Sequence, residues 1–334
     1  MTYKKKINWL LILQAWAMLW VVIGHAFIGD IKNQVNWPFW ERSLMDFAYS
    51  FHMPLFMLIS GWLFYYTRLK QNFILTGGGY ISLIKDKVKR LLLPGFFFSV
   101  VAFILKLVFP GEMVRQTSLS LNEIVHSFLV PVDNPFQELW FIVVLFIFFL
   151  MTPIWKLVLE RRWTTWALVF ILLPIHYINP KTQFLSLDRV CIYAIWFYLG
   201  LLFSKEDLVG KLFEKRTLLT IIIGVSIYIL GKLIVLSILE NIGGIVFSFG
   251  IALLFDKILP RLFSSFRDYT YQIFLIGIFA QIFIKILYRH LPIPYMAAYL
   301  LCIVAGLYVP VLVSKLIEII KWKPLLLCVG LKTK

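Results

Sequence analysis

The residues in this chain that could do chemistry are histidines set in apolar surroundings. His25 lies 19 residues after Lys6, roughly 28 Å along a helix that rises 1.5 Å per residue. That places it in the outer half of an apolar run from Ile7 to Ile28. An ionisable ring at such a depth is expensive, so it faces a cavity or a bundle interior. An imidazole poised near neutrality can take the proton of a hydroxyl. It can also do no more than hydrogen-bond a neighbouring helix, and position alone leaves both roles open. Gln14 stands 11 residues earlier, three helical turns below and on nearly the same face, so the two can line one side of a channel. A second histidine, His52, opens the run Phe51-His52-Met53-Pro54-Leu55-Phe56-Met57-Leu58-Ile59-Ser60-Gly61-Trp62. Pro54 suits the first turn of a helix, while Ser60 and Gly61 allow close helix contact or a local opening. The simpler role for His52 is a cap or an interfacial residue.

These side chains need a lipid-embedded scaffold. Of the 334 residues 61% are hydrophobic, against the 45–50% of a soluble domain, so too little polar surface exists to cover a water-facing globule. A membrane-crossing helix needs roughly 20 apolar residues. Such stretches recur at about 7–28, 47–66, 91–109, 138–158, 163–178, 190–204, 217–238, 242–256, 270–288 and 296–320. The expectation is an all-α, polytopic membrane helix bundle of about ten spans, forming one domain over 1–334. The run after Lys4-Lys5-Lys6 is too long for a signal-peptide core and suits a first span.

Charge sets the orientation. With the N-terminus inside and the spans alternating, every inward loop carries at least three Lys or Arg and no outward segment more than two. A missed helix would invert that pattern downstream of the error. Both ends are therefore expected in the cytoplasm. Asp30, Glu41, Asp46, Glu112, Glu123, Asp133, Glu138, Asp188 and Glu240 fall outside or at outer helix ends, and so do all five histidines. Trp37, Trp40, Trp140 and Trp196 suit interfacial belts. Lys106, Lys232 and Lys285 fall inside spans, near enough to an end to snorkel. Gly77-Gly78-Gly79 reads as a hinge in the first inward loop, and no Lys-Ser/Thr follows to make it a phosphate loop. The net charge of +16 belongs to these inward clusters and not to a nucleic-acid surface. Cys191, Cys302 and Cys328 are far apart, with no spacing that suggests disulfides or a metal site.

Several motifs resemble one family. Gln14-Ala15-Trp16-Ala17-Met18-Leu19-Trp20-Val21-Val22-Ile23-Gly24-His25, followed by the Phe-His-Met-Pro-Leu-Phe-x-x-x-Ser-Gly run, looks like the acyltransferase-3 family, most of all the fucose 4-O-acetylase-like membrane O-acetyltransferases. Arg90-Leu91-Leu92-Leu93-Pro94 is similar to its Arg-x-x-x-Pro, Glu138-Leu139-Trp140-Phe141 to its Leu-Trp-Phe, and Tyr198-Leu199-Gly200 to a later helix end. Two positions depart. Relatives carry a basic residue where Gln14 stands. Many also carry a histidine after an Ile-Phe/Tyr-Leu run, whereas this chain reads Ile273-Phe274-Leu275-Ile276-Gly277.

The resemblance implies a multi-pass enzyme of the bacterial cytoplasmic membrane. Its activity would be transfer of an acyl group, usually acetyl from acetyl-CoA, to a hydroxyl of an envelope polysaccharide or its lipid-linked precursor, with no metal. His25 becomes the base that takes the acceptor proton, with Gln14 beneath it, and His52, Ser60, Glu138 and Trp140 line the site. Arg90, able to grip phosphate bidentately, and Lys89 would hold the coenzyme nucleotide while its pantetheine arm reaches up a cavity. The partners expected are acyl-CoA, a glycan acceptor and lipid. The alternative is a transporter or flippase of a lipid-linked sugar, which needs nothing of His25; a glycan polymerase would carry a larger outer loop.

Overall fold

A computed structural model describes residues 7–29, 38–70, 76–109, 120–178 and 180–332. Lys4, Lys5, Lys6, Asp30, Lys32, Trp37, Glu112, Arg115 and Lys334, on which part of the orientation argument rests, lie outside the described residues. Among the described residues the regular structure is helical, with no strand: α1 (Asn8–His25), α2 (Phe39–Phe64), α3 (Gly77–Lys87), α4 (Leu93–Val108), α5 (Leu121–Leu129), α6 (Leu139–Leu150), α7 (Thr152–Glu160), α8 (Arg162–Tyr177), α9 (Leu187–Lys205), α10 (Thr217–Leu233), α11 (Ser237–Ile258), α12 (Thr270–His290), α13 (Tyr295–Ile320) and α14 (Lys323–Cys328). Wider π-helical turns extend α2 over Tyr65–Leu69 and join α3 to α4 over Val88–Leu92.

Eight of these helical stretches are long and apolar enough to cross a membrane, or nine if α6 and α7, bent by 52°, form one broken span. The bend falls where Pro153 enters the first turn of α7 and withholds its N–H from the ladder. The Thr152 hydroxyl donates to the Phe149 carbonyl instead, and the Trp155 indole N–H donates to the Phe148 carbonyl at 2.7 Å, so the break leaves these groups satisfied inside an apolar medium. The fifth expected span is α8, whose 16 residues reach roughly 24 Å, short of the ~30 Å hydrocarbon layer.

Three local expectations are corrected. Pro54 lies inside α2, not in its first turn, because the helix begins at Phe39. The Gly77-Gly78-Gly79 triplet is the first turn of α3 and not a hinge: the Thr76 hydroxyl accepts from the Gly79 N–H at 3.2 Å, an N-cap that fixes the turn. Trp196 is no interfacial belt residue. It is 2% exposed and packs edge-on to the His176 ring.

The helices form two compact units, Met1–Ile59 with Glu206–Lys315, and Ser60–Lys205 with Leu316–Lys334. In the first, α1 is enclosed by the chain's last three long helices. Ala15, Met18, Val21 and Val22 pack with Ile273 of α12, Leu307 and Val311 of α13, and Phe266. The Trp16 indole N–H donates to the Ser248 hydroxyl of α11 at 3.1 Å, and Asn8 donates to Asp256 at 2.5 Å. In the second unit the core is aromatic: Phe148 lies against Phe197 with ring centres 5.0 Å apart, and the Tyr198 hydroxyl donates to the Thr165 carbonyl at 2.8 Å. Large apolar side chains such as Leu107, Leu233 and Ile319 face outward. In water such a surface would aggregate, and against lipid it costs nothing.

Candidate active site

The last turn of an α-helix leaves carbonyls without helical donors, and α1 ends at His25. Its carbonyls are met by α12. Gln281 donates to the Val22 carbonyl at 2.8 Å. Lys285, one turn on, donates to the His25 carbonyl at 2.9 Å, and its ammonium lies 4.4 Å from the centre of the Phe27 ring. A cation at a helix C-terminus is favoured by the helix dipole. Just beyond, the Ile28 N–H donates to Glu41 of α2 at 3.0 Å, and Glu41 also receives the Tyr295 hydroxyl of α13. Glu41 is 1% exposed, so this carboxylate is a buried tie and not an exposed outer charge. Side chains from three helices therefore pin the chain around His25.

His25 as a residue is half-buried. The Tyr49 hydroxyl lies 3.4 Å from His25 Nδ1, and the two rings meet edge to face with centres 5.7 Å apart. Tyr49 also stacks edge-on with His52, at 5.1 Å, so one tyrosine on α2 touches both histidines. His52 is buried and its Nδ1 donates to the Ala48 carbonyl at 2.5 Å, which leaves its Nε2 as an acceptor. A base acting through His25 Nε2 requires the tautomer with its proton on Nδ1, for which the Tyr49 oxygen would be the acceptor.

Gln14 is carried by the same uninterrupted helix as His25. Eleven residues of helix separate them by roughly 16 Å, so they share a face without touching. The Gly277 departure has a steric cause. A Cβ there would lie 2.8 Å from the Gly306 carbonyl oxygen, so the α12–α13 crossing admits no histidine.

The remaining expected residues belong to the second unit. Ser60 is half-buried on α2. Glu138 is buried at the start of α6. The Trp140 ring stacks on Tyr193 of α9 at 5.4 Å and carries the Arg189 guanidinium 4.4 Å from its centre. Lys89 and Arg90 lie exposed on the π-helical stretch before α4, free to meet a charged ligand, as is Lys85. Lys87 is turned inward, its ammonium 3.5 Å from the centre of the Phe149 ring. Among the described residues no three His, Cys, Asp or Glu side chains stand together as a metal cage.

Sequence reasoning passed over Tyr49, Gln281 and Lys285. For Tyr49 a signal existed: it precedes His52 by three residues, so both share a helix face. Lys285 reads as a snorkelling charge until α12 is seen beside the end of α1.

The nodulation protein NolL of Mesorhizobium japonicum is 30% identical over 189 residues, 55% of this chain and 44% of NolL, so the chain spans less than half of that relative's length. No solved structure matches. The profile of the family described as "Acyltransferase domain" matches residues 7–315, and the chain belongs to this acyltransferase-3 family.

Proposed function

We propose that the protein is a membrane O-acyltransferase that moves acetyl from acetyl-CoA to a hydroxyl of an envelope polysaccharide or its lipid-linked precursor, at the bacterial cytoplasmic membrane, with residues 1–334 acting as one functional domain. The observation that carries the reading is His25: a half-buried residue at the end of a family-matching first helix, with the Nδ1 side of its imidazole engaged by Tyr49. In the reaction His25 Nε2 takes the acceptor hydroxyl proton as the oxygen attacks the thioester carbonyl. The tetrahedral intermediate then expels the coenzyme thiolate, and the imidazolium returns the proton to that sulfur. His52 and Tyr49 orient the base. Arg90 and Lys89 are assigned to the coenzyme phosphates, by charge and exposure. Membership in an acyltransferase family favours this chemistry over sugar transport, which has no residue arrangement of its own in its support.

The test is acetyl transfer from labelled acetyl-CoA in membranes of cells making the wild-type chain or His25→Ala, with mass spectrometry of the envelope glycan for one acetyl increment. Loss of a general base costs on the order of 10²–10⁴-fold in rate. An undiminished acetyl increment with His25→Ala would refute the assignment. Arg90→Gln is expected to raise the KM for acetyl-CoA roughly tenfold or more, as loss of a charge-assisted hydrogen bond does, with kcat little changed.

A further inference from the structure

Two helices of the second unit give a scale of depth. α9 ends at Lys205, whose ammonium donates to the Leu159 carbonyl at 2.7 Å, on the side that loop charge marks as inward. Tyr193 lies 12 residues before Lys205, roughly 18 Å up the helix, and Trp140 stacks on it. α6 therefore starts roughly 18 Å above the inner end of α9, well short of the ~30 Å hydrocarbon layer. α4 gives the same result. A Cβ at Gly95 would lie 3.0 Å from Ile142 and 3.2 Å from Leu139, so the start of α6 is level with Gly95. From there α4 runs on to Val108, roughly 20 Å higher.

α5 is attached to the same stretch of α4. Its Phe128 ring stacks on Phe96 with centres 5.2 Å apart and meets the Phe103 ring at 6.5 Å. These contacts set the C-terminal half of α5 roughly 8 to 18 Å below the outer end of α4. A segment that by charge belongs to an outward connection thus sits at the depth of the outer leaflet. The turn after it is built for such a place. Asn134 is fully buried; its amide donates to the Ser127 hydroxyl at 3.3 Å and its oxygen accepts from the Phe136 N–H at 2.9 Å. Polar groups that cannot reach water are matched within the segment.

The sequence of α5 divides cleanly around the helix. At 100° per residue Leu121, Ile124, Val125, Phe128 and Leu129 fall on one arc, and Asn122, Glu123, His126 and Ser127 on the other. Phe128 turns toward α4, while Leu121, Val125 and Leu129, spaced i, i+4 and i+8, are 75%, 49% and 43% exposed. This stripe adjoins the outward row Phe96, Val100, Ile104 and Leu107 of α4, part of the surface that suits lipid. On the polar arc His126 pairs with Asp133 at 3.2 Å. An amphipathic helix at this depth lies in the plane of the interface, apolar side in the acyl chains and polar side toward the headgroups.

We propose that α5 is an interfacial helix seated in the outer leaflet, with Leu121, Val125 and Leu129 against lipid acyl chains. The inference rests on packing within the second unit and on loop charge, and needs no reading of the reaction. The test uses the full chain stripped of Cys191, Cys302 and Cys328, in phosphatidylcholine nanodiscs. Val125→Cys, Leu129→Cys, Leu107→Cys and Lys211→Cys are made singly, and each cysteine carries an NBD fluorophore. Doxyl-labelled phosphatidylcholine quenches from the acyl chains and iodide from water. The doxyl-to-iodide quenching ratio at positions 125 and 129 should lie within about twofold of that at 107, on the lipid face of α4, and roughly fivefold or more above that at 211. A ratio nearer that of position 211 puts α5 in water and overturns the proposal. Protection from both quenchers also overturns it, because protein then covers the stripe. Both substitutions replace exposed side chains, so loss of one variant leaves the other to decide.

Discussion

His25 is held by its backbone as much as by its ring. Two carbonyls of the last turn of α1 are occupied by Gln281 and Lys285, and the Ile28 backbone N–H just beyond it by Glu41. The imidazole can thus neither slide along the helix axis nor rotate away with a fraying end. If His25 is the base, Lys285, which donates to its carbonyl, is a positioning residue. Lys285→Met should lower kcat tenfold or more while leaving the KM for acetyl-CoA unchanged, and Lys285→Arg should restore part of the loss. A fall in protein level with unchanged kcat would mean that the lysine only supports folding. Tyr49→Phe removes a single hydroxyl and keeps the ring contacts with both histidines. Its cost should be that of one hydrogen bond, about 1 kcal/mol or roughly fivefold in kcat. No effect would show that the 3.4 Å contact does not set the tautomer.

Among elements, the α10–α11 hairpin shows how helices adhere without a hydrophobic driving force between them. Gly224 of α10 lies so close to Phe247 of α11 that no Cβ fits. Across the turn Lys232 of α10 and Glu240 of α11 pair at 2.7 Å. Small residues let backbones approach where lipid offers apolar surface equally to all partners. Gly224→Leu should wedge this pair apart, and overpacking costs about 1–3 kcal/mol. The thermal midpoint in detergent should fall, and an unchanged midpoint would contradict the close crossing. α11 in turn carries Ser248, the partner of Trp16 on α1, so a disturbed hairpin should also reduce activity. The bent α6–α7 pair is the other telling element. Pro153 was visible as a residue, yet whether it ended, kinked or re-entered the span depended on Thr152 and Trp155 finding the freed carbonyls.

For the whole molecule, the loop-charge pattern predicts an orientation that labelling can check. In a variant stripped of Cys191, Cys302 and Cys328, a cysteine replacing Lys181 should react with an impermeant maleimide from outside intact cells. One replacing Lys211 should react only after the membrane is opened, and the reverse pattern would overturn the orientation. The sequence by itself determined the class of the protein, because transfer of apolar side chains into lipid is additive along the chain and needs no partner to be read. It also determined the family, since each of its motifs is a short run that can be read without knowing how the helices pack. The count of spans was less legible: whether α8 crosses depends on a helix length that capping and loop geometry decide. Only the tertiary structure brought Lys285 and Gln281, some 260 residues away in sequence, onto the carbonyls of α1, and Glu41 onto the turn after it. The physical reason is the same in each case: a buried polar group must find a partner, and which partner it finds is settled by packing across helices and not by the pattern within one.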